Sequence, residues 1–218
     1  EAWKYTKARE VCGDDFVIKQ SKRDSDWEAD LPFEAYQIRF ENGYFCPQES
    51  TLPQGVEVVP LIEAMLFHPE VWKHLCKMAD INKYPFAALN QSYLNEGVYI
   101  RIEKNVELKK PLAIVSHTTP GEENLFFNLH NLIVLEENAA ATLVEYHTWS
   151  GEIKSRYFAN LVNEIYLSAG AHLEHIKMQA EAFKANHDAL SVVAANQASD
   201  YKSFCLHRGP NIRHTQTL

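Results

Sequence analysis

The sequence predicts a mainly β protein, a parallel β-helix (solenoid) preceded by a small N-terminal helical and irregular region with a hairpin. Three observations carry that prediction. First, NLIVLEENAAATLVEYH (131–147) and NEIYLSAGAHLEHIKMQ (163–179) state one pattern twice, thirty-two residues apart, and YIRIEKNVELKKP (99–111) states it a third time. Second, aligning the copies gives four apolar columns: Ile100, Ile133, Ile165; Ile102, Leu135, Leu167; Val106, Ala139, Ala171; and Leu108, Ala141, Leu173. Third, the same three-residue corner parts the second and third columns: Glu103-Lys104-Asn105, Glu136-Glu137-Asn138, Ser168-Ala169-Gly170. Asn and Gly at its last position suit a left-handed backbone. Each copy is therefore strand, tight corner, strand, with column residues two apart and on one face. One such copy cannot bury its apolar face alone, whereas stacked copies share a continuous interior. VVAANQASDYKSFCLH (192–207) reads as a fourth copy with slipped spacing.

The chain divides into an α-rich region with a hairpin, residues 1–96, and a β-helix core, 97–218, cut short at its C-terminal end. Residues 1–30 mix charge with isolated aromatics and have no clean period. YQIRFENGYFCP (36–47) sets two alternating runs around Asn42-Gly43, a type I′ hairpin signal. Beyond Pro53 the period becomes helical: Leu61, Met65 and Leu66 share one face, and Val71, Trp72, Leu75 and Met78 repeat it after Pro69. Proline suits a first helical turn but not a helix interior, so two short helices are expected. A third is expected from Pro85, facing inward with Phe86, Leu89 and Tyr93 and closed by Asn95-Glu96-Gly97. These helices are expected to cover one end of the sheet structure.

The bulk numbers exclude several classes. A formal charge of −8 over 218 residues argues against nucleic-acid binding, which needs a basic face. No apolar run approaches the roughly 20 residues that span a bilayer. Cys12, Cys46, Cys76 and Cys205 are scattered, with no Cys-x-x-Cys, which fits a reducing cytoplasm. No Met opens the chain, and NIRHTQTL closes it in mid-alternation, so it reads as part of a longer protein.

Candidate chemistry is sparse. His172 shares the outward row of Glu107 and Ala140, beside Glu174, and is expected to be solvated. His175 has the inward parity of Leu173 and is expected to be a hydrogen-bonded core residue. Cys205 and His207 share a strand face, but a zinc site needs at least three protein donors. The other histidines, at 68, 74, 117, 130, 147, 187 and 214, fall in no metal-ligand spacing, and no GxSxG, phosphate loop or GxGxxG is present. No catalytic, cofactor-binding or metal residue is assigned, and no enzyme activity is expected. The outward rows (Glu103, Glu136, Ser168; Glu107, Ala140, His172; Lys109, Thr142, Glu174) build no repeated acidic array, as a polysaccharide-cleaving β-helix would need. That enzyme, and a metal-binding module on Cys205 and His207, are the competing readings.

WKYT (3–6), the Asn42-Gly43 hairpin, HPE (68–70), PFAALN (85–90) and the two long repeats together resemble the SufB/SufD family. These are scaffold proteins of the SUF iron–sulfur cluster assembly system, and PFAALN directly before the first β-helix strand resembles the SufD side, the SufB paralogue being the alternative. The resemblance implies a right-handed β-helix core and a C-terminal helical region that binds the ATPase SufC. It also implies edge-to-edge pairing with SufB; a homodimer through the same edges is the other possibility. By this resemblance the full complex assembles a cluster transiently, and this stretch binds no cofactor itself. The histidine associated with cluster assembly in that family belongs to its C-terminal part, so no functional residue is carried over.

Overall fold

The computed structural model describes residues 16–18, 29–47, 52–94, 96–119, 121–152, 154–209 and 211–218. Its strands stack into two sheets. The first contains β4 (Val56–Pro60), β5 (Val98–Ile102), β7 (Asn124–Leu135), β9 (Tyr157–Leu167), β11 (Ala185–Ala195) and β13 (Asn211–Thr217), in that spatial order, with the short β1 (Phe16–Val17) beside β7. The second runs β3 (Tyr44–Cys46), β2 (Tyr36–Glu41), β6 (Leu112–Thr118), β8 (Ala140–Trp149), β10 (His172–Ala180), β12 (Asp200–Arg208). All strand pairs are parallel except β2–β3 and β4–β5. From β5 onward the chain alternates between the sheets, which is the path of a parallel solenoid.

The repeat columns are realised residue for residue. Ile100 pairs with Ile133, and Ile133 with Ile165; Ile102, Leu135 and Leu167 follow in the same register. All six are 0–1 % exposed. Each such side chain taken from water contributes roughly 1.5–3 kcal/mol. The corners also stack, since Asn105 N–H donates to Glu137 O, Asn138 N–H to Ala169 O and Gly170 N–H to Gln197 O. Asn105, Asn138 and Gly170 take φ of 62°, 58° and 68°. A Cβ at Gly170 would lie 2.3 Å from the Asn138 Oδ1, so a larger residue there would have to displace the Asn138 side chain.

Two irregularities mark the ends of the repeat. In the first copy a single bridge joins Glu107 to Ala140, and pairing resumes with Leu112 opposite Leu143, so the Lys109-Lys110-Pro111 stretch holds two extra residues. In the fourth copy Val193 pairs with Ile165 and Tyr201 with Leu173, a step of twenty-eight residues, and Ala198 turns the corner at φ 56°. Ala139 and Ala171 are sealed from solvent, whereas Ala141 packs against the core while still partly open.

The Asn42-Gly43 hairpin forms between β2 and β3, with φ of 49° and 81° at the turn. The two short helices also form: α1 (Leu61–Phe67) and a 3₁₀ turn, Pro69–Lys73. Their buried faces differ from expectation. Leu61, Ala64, Val71 and Leu75 are buried, while Leu66 is 71 % and Trp72 51 % exposed. In α2 (Pro85–Ser92) the buried residues are Phe86, Ala87 and Asn90, and Tyr93 beyond it is exposed. The reason is where the helices sit. They cover the flank of the first sheet, not an end of the stack, and meet outward residues of its strands: Tyr99, Leu132, Val134 and Val162. Residues 1–15 and 19–28, most of the stretch without a clean period, lie outside the described residues.

Candidate functional site

Toward the C-terminal ends of the second-sheet strands the interior columns turn polar. Following Leu143 inward along β8 come Glu145 and His147; following Leu173 along β10 come His175, Lys177 and Gln179. Across the interior β7, β9 and β11 present Asn131, Asn163, His187 and Ser191. All of these are buried. Buried polar groups are tolerated only when partnered, and Glu145 organises much of the partnering. It lies 2.6 Å from His175 Nε2, 3.4 Å from His147 Nε2 and 3.5 Å from Lys177 Nζ, and Asn163 Nδ2 donates to it at 2.7 Å. Burial pushes its carboxyl up, but Lys177 and the two imidazoles outweigh that and hold it well below the usual carboxylate range. His175 completes its bonding through Nδ1 to the Tyr201 hydroxyl at 2.8 Å. It is the hydrogen-bonded core residue that its parity predicts. His172 points out to solvent, 4.0 Å from Asp200.

Two groups of potential metal donors share this interior. His147, Glu181 and His187 bring one donor atom each within 4.8 Å of one another. Cys205, His207 and His214 do the same where β12 and β13 face each other, with Cys205 Sγ 3.3 Å from His214 Nδ1. Burial raises the Cys205 thiol and drives the His214 imidazole down to about 3. Gln179 joins the two groups: its Oε1 meets His207 Nδ1, and its Nε2 donates to Glu181 Oε2 at 3.0 Å.

A third group, Cys76, His130 and Glu164, sits on the outer flank under the helices and serves structure. Glu164 accepts the backbone N–H groups of Cys76 at 2.5 Å, Met78 at 2.7 Å and Ala79 at 3.3 Å, and meets His130 Nε2 at 3.1 Å. Cys76 takes φ 58° to aim these amides at one carboxylate, and burial, followed by Glu164, pushes its thiol up to about 11. His130 Nδ1 in turn contacts Asn90 Oδ1 at 2.8 Å, and Asn160 Nδ2 donates to both Phe86 O and Asn128 Oδ1. The helices are thus latched to the sheet by a buried polar ladder. A fourth group, Glu57, His68 and Glu70, is a partly exposed ion pairing beside Arg101.

Comparison with known proteins places this architecture. The family model described as SufBD protein N-terminal region matches residues 1–114, and that described as SUF system FeS cluster assembly, SufBD core domain, matches residues 117–217. The chain belongs to the SufBD family. It is 29 % identical over 230 residues to an iron–sulfur cluster assembly SufBD family protein of Synechocystis sp., covering 98 % of this chain and 50 % of that protein. It is 25 % identical over 224 residues to the iron–sulfur cluster assembly protein SufD of Escherichia coli, covering 98 % and 49 %. The chain spans about half the length of these curated relatives.

Both interior donor groups lie within the SufBD core region. Sequence reading placed Cys205 and His207 together but missed His214, which arrives from the next strand of the other sheet. It read His147 and His187 as falling in no metal-ligand spacing and did not single out Glu181. The signal was present: extending the repeat columns past Leu143 and Leu173 aligns Glu145 with Lys177 and His147 with Gln179, as the strand register confirms. Polar residues of inward parity at matching repeat positions were the mark of a hydrophilic interior in this SufBD chain.

Proposed function

We propose that the chain is the N-terminal and core part of a non-catalytic scaffold subunit of SUF iron–sulfur cluster assembly, of the SufD type, acting in the cytoplasm. In this reading the whole subunit pairs with SufB and binds the SufC ATPase. One observation carries it: both regions of the SufBD family match in order, 1–114 and 117–217. No helix among the described residues is long and apolar enough to cross a membrane.

The test uses the full-length protein, tagged and purified from its own cells. Co-elution with both a SufB paralogue and SufC is expected, and recovery of neither would refute the assignment.

A further inference from the structure

Donor geometry in the solenoid interior points to a ligand the chain does not itself supply. Two buried carboxylates face it, Glu145 and Glu181. Lys177 Nζ stands 3.5 Å from Glu145. Glu181, 9 % exposed, has Gln179 Nε2 at 3.0 Å and His187 Nδ1 at 2.8 Å. A buried carboxylate and a buried imidazole thus face each other at 2.8 Å inside the protein, where polar groups are tolerated only with a full set of partners.

The geometry around Glu181 matches that need. His187 is 2 % exposed, and neither of its ring nitrogens makes a well-directed hydrogen bond within the chain. The His147 ring lies edge-on to it, centroids 4.8 Å apart. We infer that His147, Glu181 and His187 form a binding site for a divalent first-row transition cation inside the solenoid. Two imidazoles and one carboxylate suit zinc or ferrous iron, whereas magnesium and calcium take oxygen donors. Three protein donors leave a position open, as in exchangeable and catalytic sites, in contrast to closed structural ones. The surrounding groups orient the donors: Glu145 Oε2 faces His147 Nε2 at 3.4 Å, and the Gln179 amide holds Glu181. Carboxylates and amides in that outer position fix ring orientation and raise ligand basicity. Gln179 also contacts His207 of the separate Cys205–His207–His214 group.

The inference goes beyond the scaffold reading and stands on this chain alone. Metal-free full-length protein is titrated anaerobically with Co2+ and with Zn2+. One equivalent is expected to bind, giving cobalt d–d bands without a thiolate-to-cobalt charge-transfer band. Glu181→Gln, its fold checked by circular dichroism, is expected to weaken binding at least about 100-fold. Cys205→Ser is expected to leave affinity unchanged. X-ray absorption of the zinc-loaded wild type gives an answer that needs no variant: a shell of nitrogen and oxygen only, with imidazole scattering. Absence of stoichiometric uptake, a sulfur scatterer in that shell, or unchanged affinity in a folded Glu181→Gln would overturn the site. None of these outcomes bears on co-elution with SufB and SufC.

Discussion

Replacing Glu164 with Gln tests the helical latch most directly. The side chain keeps its shape and one carbonyl oxygen, so packing against Cys76 and His130 is preserved. It loses its charge, and its new NH2 must face at least one backbone N–H that now donates to a carboxylate. The bonds at stake are those from Cys76 at 2.5 Å, Met78 at 2.7 Å and Ala79 at 3.3 Å, with His130 at 3.1 Å. Hydrogen bonds to a charged partner are each worth about 1.5–3 kcal/mol, and an orphaned buried donor costs about 1–3 kcal/mol. With one carboxylate oxygen lost, the expected destabilisation is about 2–4 kcal/mol, read as a lower urea midpoint at pH 7. Hydrogen exchange at Met78 and Ala79 should accelerate before that of the β9 amides, because the loop is released from the sheet first.

The pH dependence carries its own sign. Burial pushes the Glu164 carboxyl up, but its bonds to His130, Met78 and Cys76 prevail and hold it below its ordinary 4.5. A carboxylate with a depressed folded-state value stabilises fully above its unfolded value and loses that contribution as pH falls through the folded one. The gap between wild type and Glu164→Gln should therefore be constant from neutrality down to about 4.5 and close below it. A variant within about 0.5 kcal/mol of wild type at pH 7 would show that the latch carries no net stability.

Two further outcomes follow from the interior. Ala139→Arg should cost more than about 4 kcal/mol and abolish a cooperative melt, since the position is 0 % exposed and offers the charge no partner. Arg at Ala141, where the sequence alone suggests the same effect, should be milder because that position is partly open; equal effects would contradict the packing. Lys177→Met should destabilise by about 3–5 kcal/mol by leaving Glu145 buried without its cation, and adding Glu145→Gln should recover much of the loss in urea melts. Additive losses would mean the two do not act as a pair.

What the sequence by itself determined is the stack. A strand's side chains alternate with period two, and a repeat of thirty-two or thirty-three residues sets like residue over like, so Ile100, Ile133 and Ile165 were legible as one column before any coordinates. The corners were legible too, because only a few residue types tolerate the positive φ that Asn105, Asn138 and Gly170 adopt. The helices were legible as helices but not in their facing: Leu66 and Trp72 carry the right period yet stay exposed, since the surface that receives α1 is made of Tyr99, Leu132 and Val134, set by a sheet formed later in the chain. Tertiary structure alone decided the polar sites. Glu164 meets the amides of Cys76, Met78 and Ala79 across nearly ninety positions, and His147, Glu181 and His187 reach one point from two sheets and a turn. Local periodicity records which way a side chain points, but which distant side chains it then meets is fixed only when the coils close on one another.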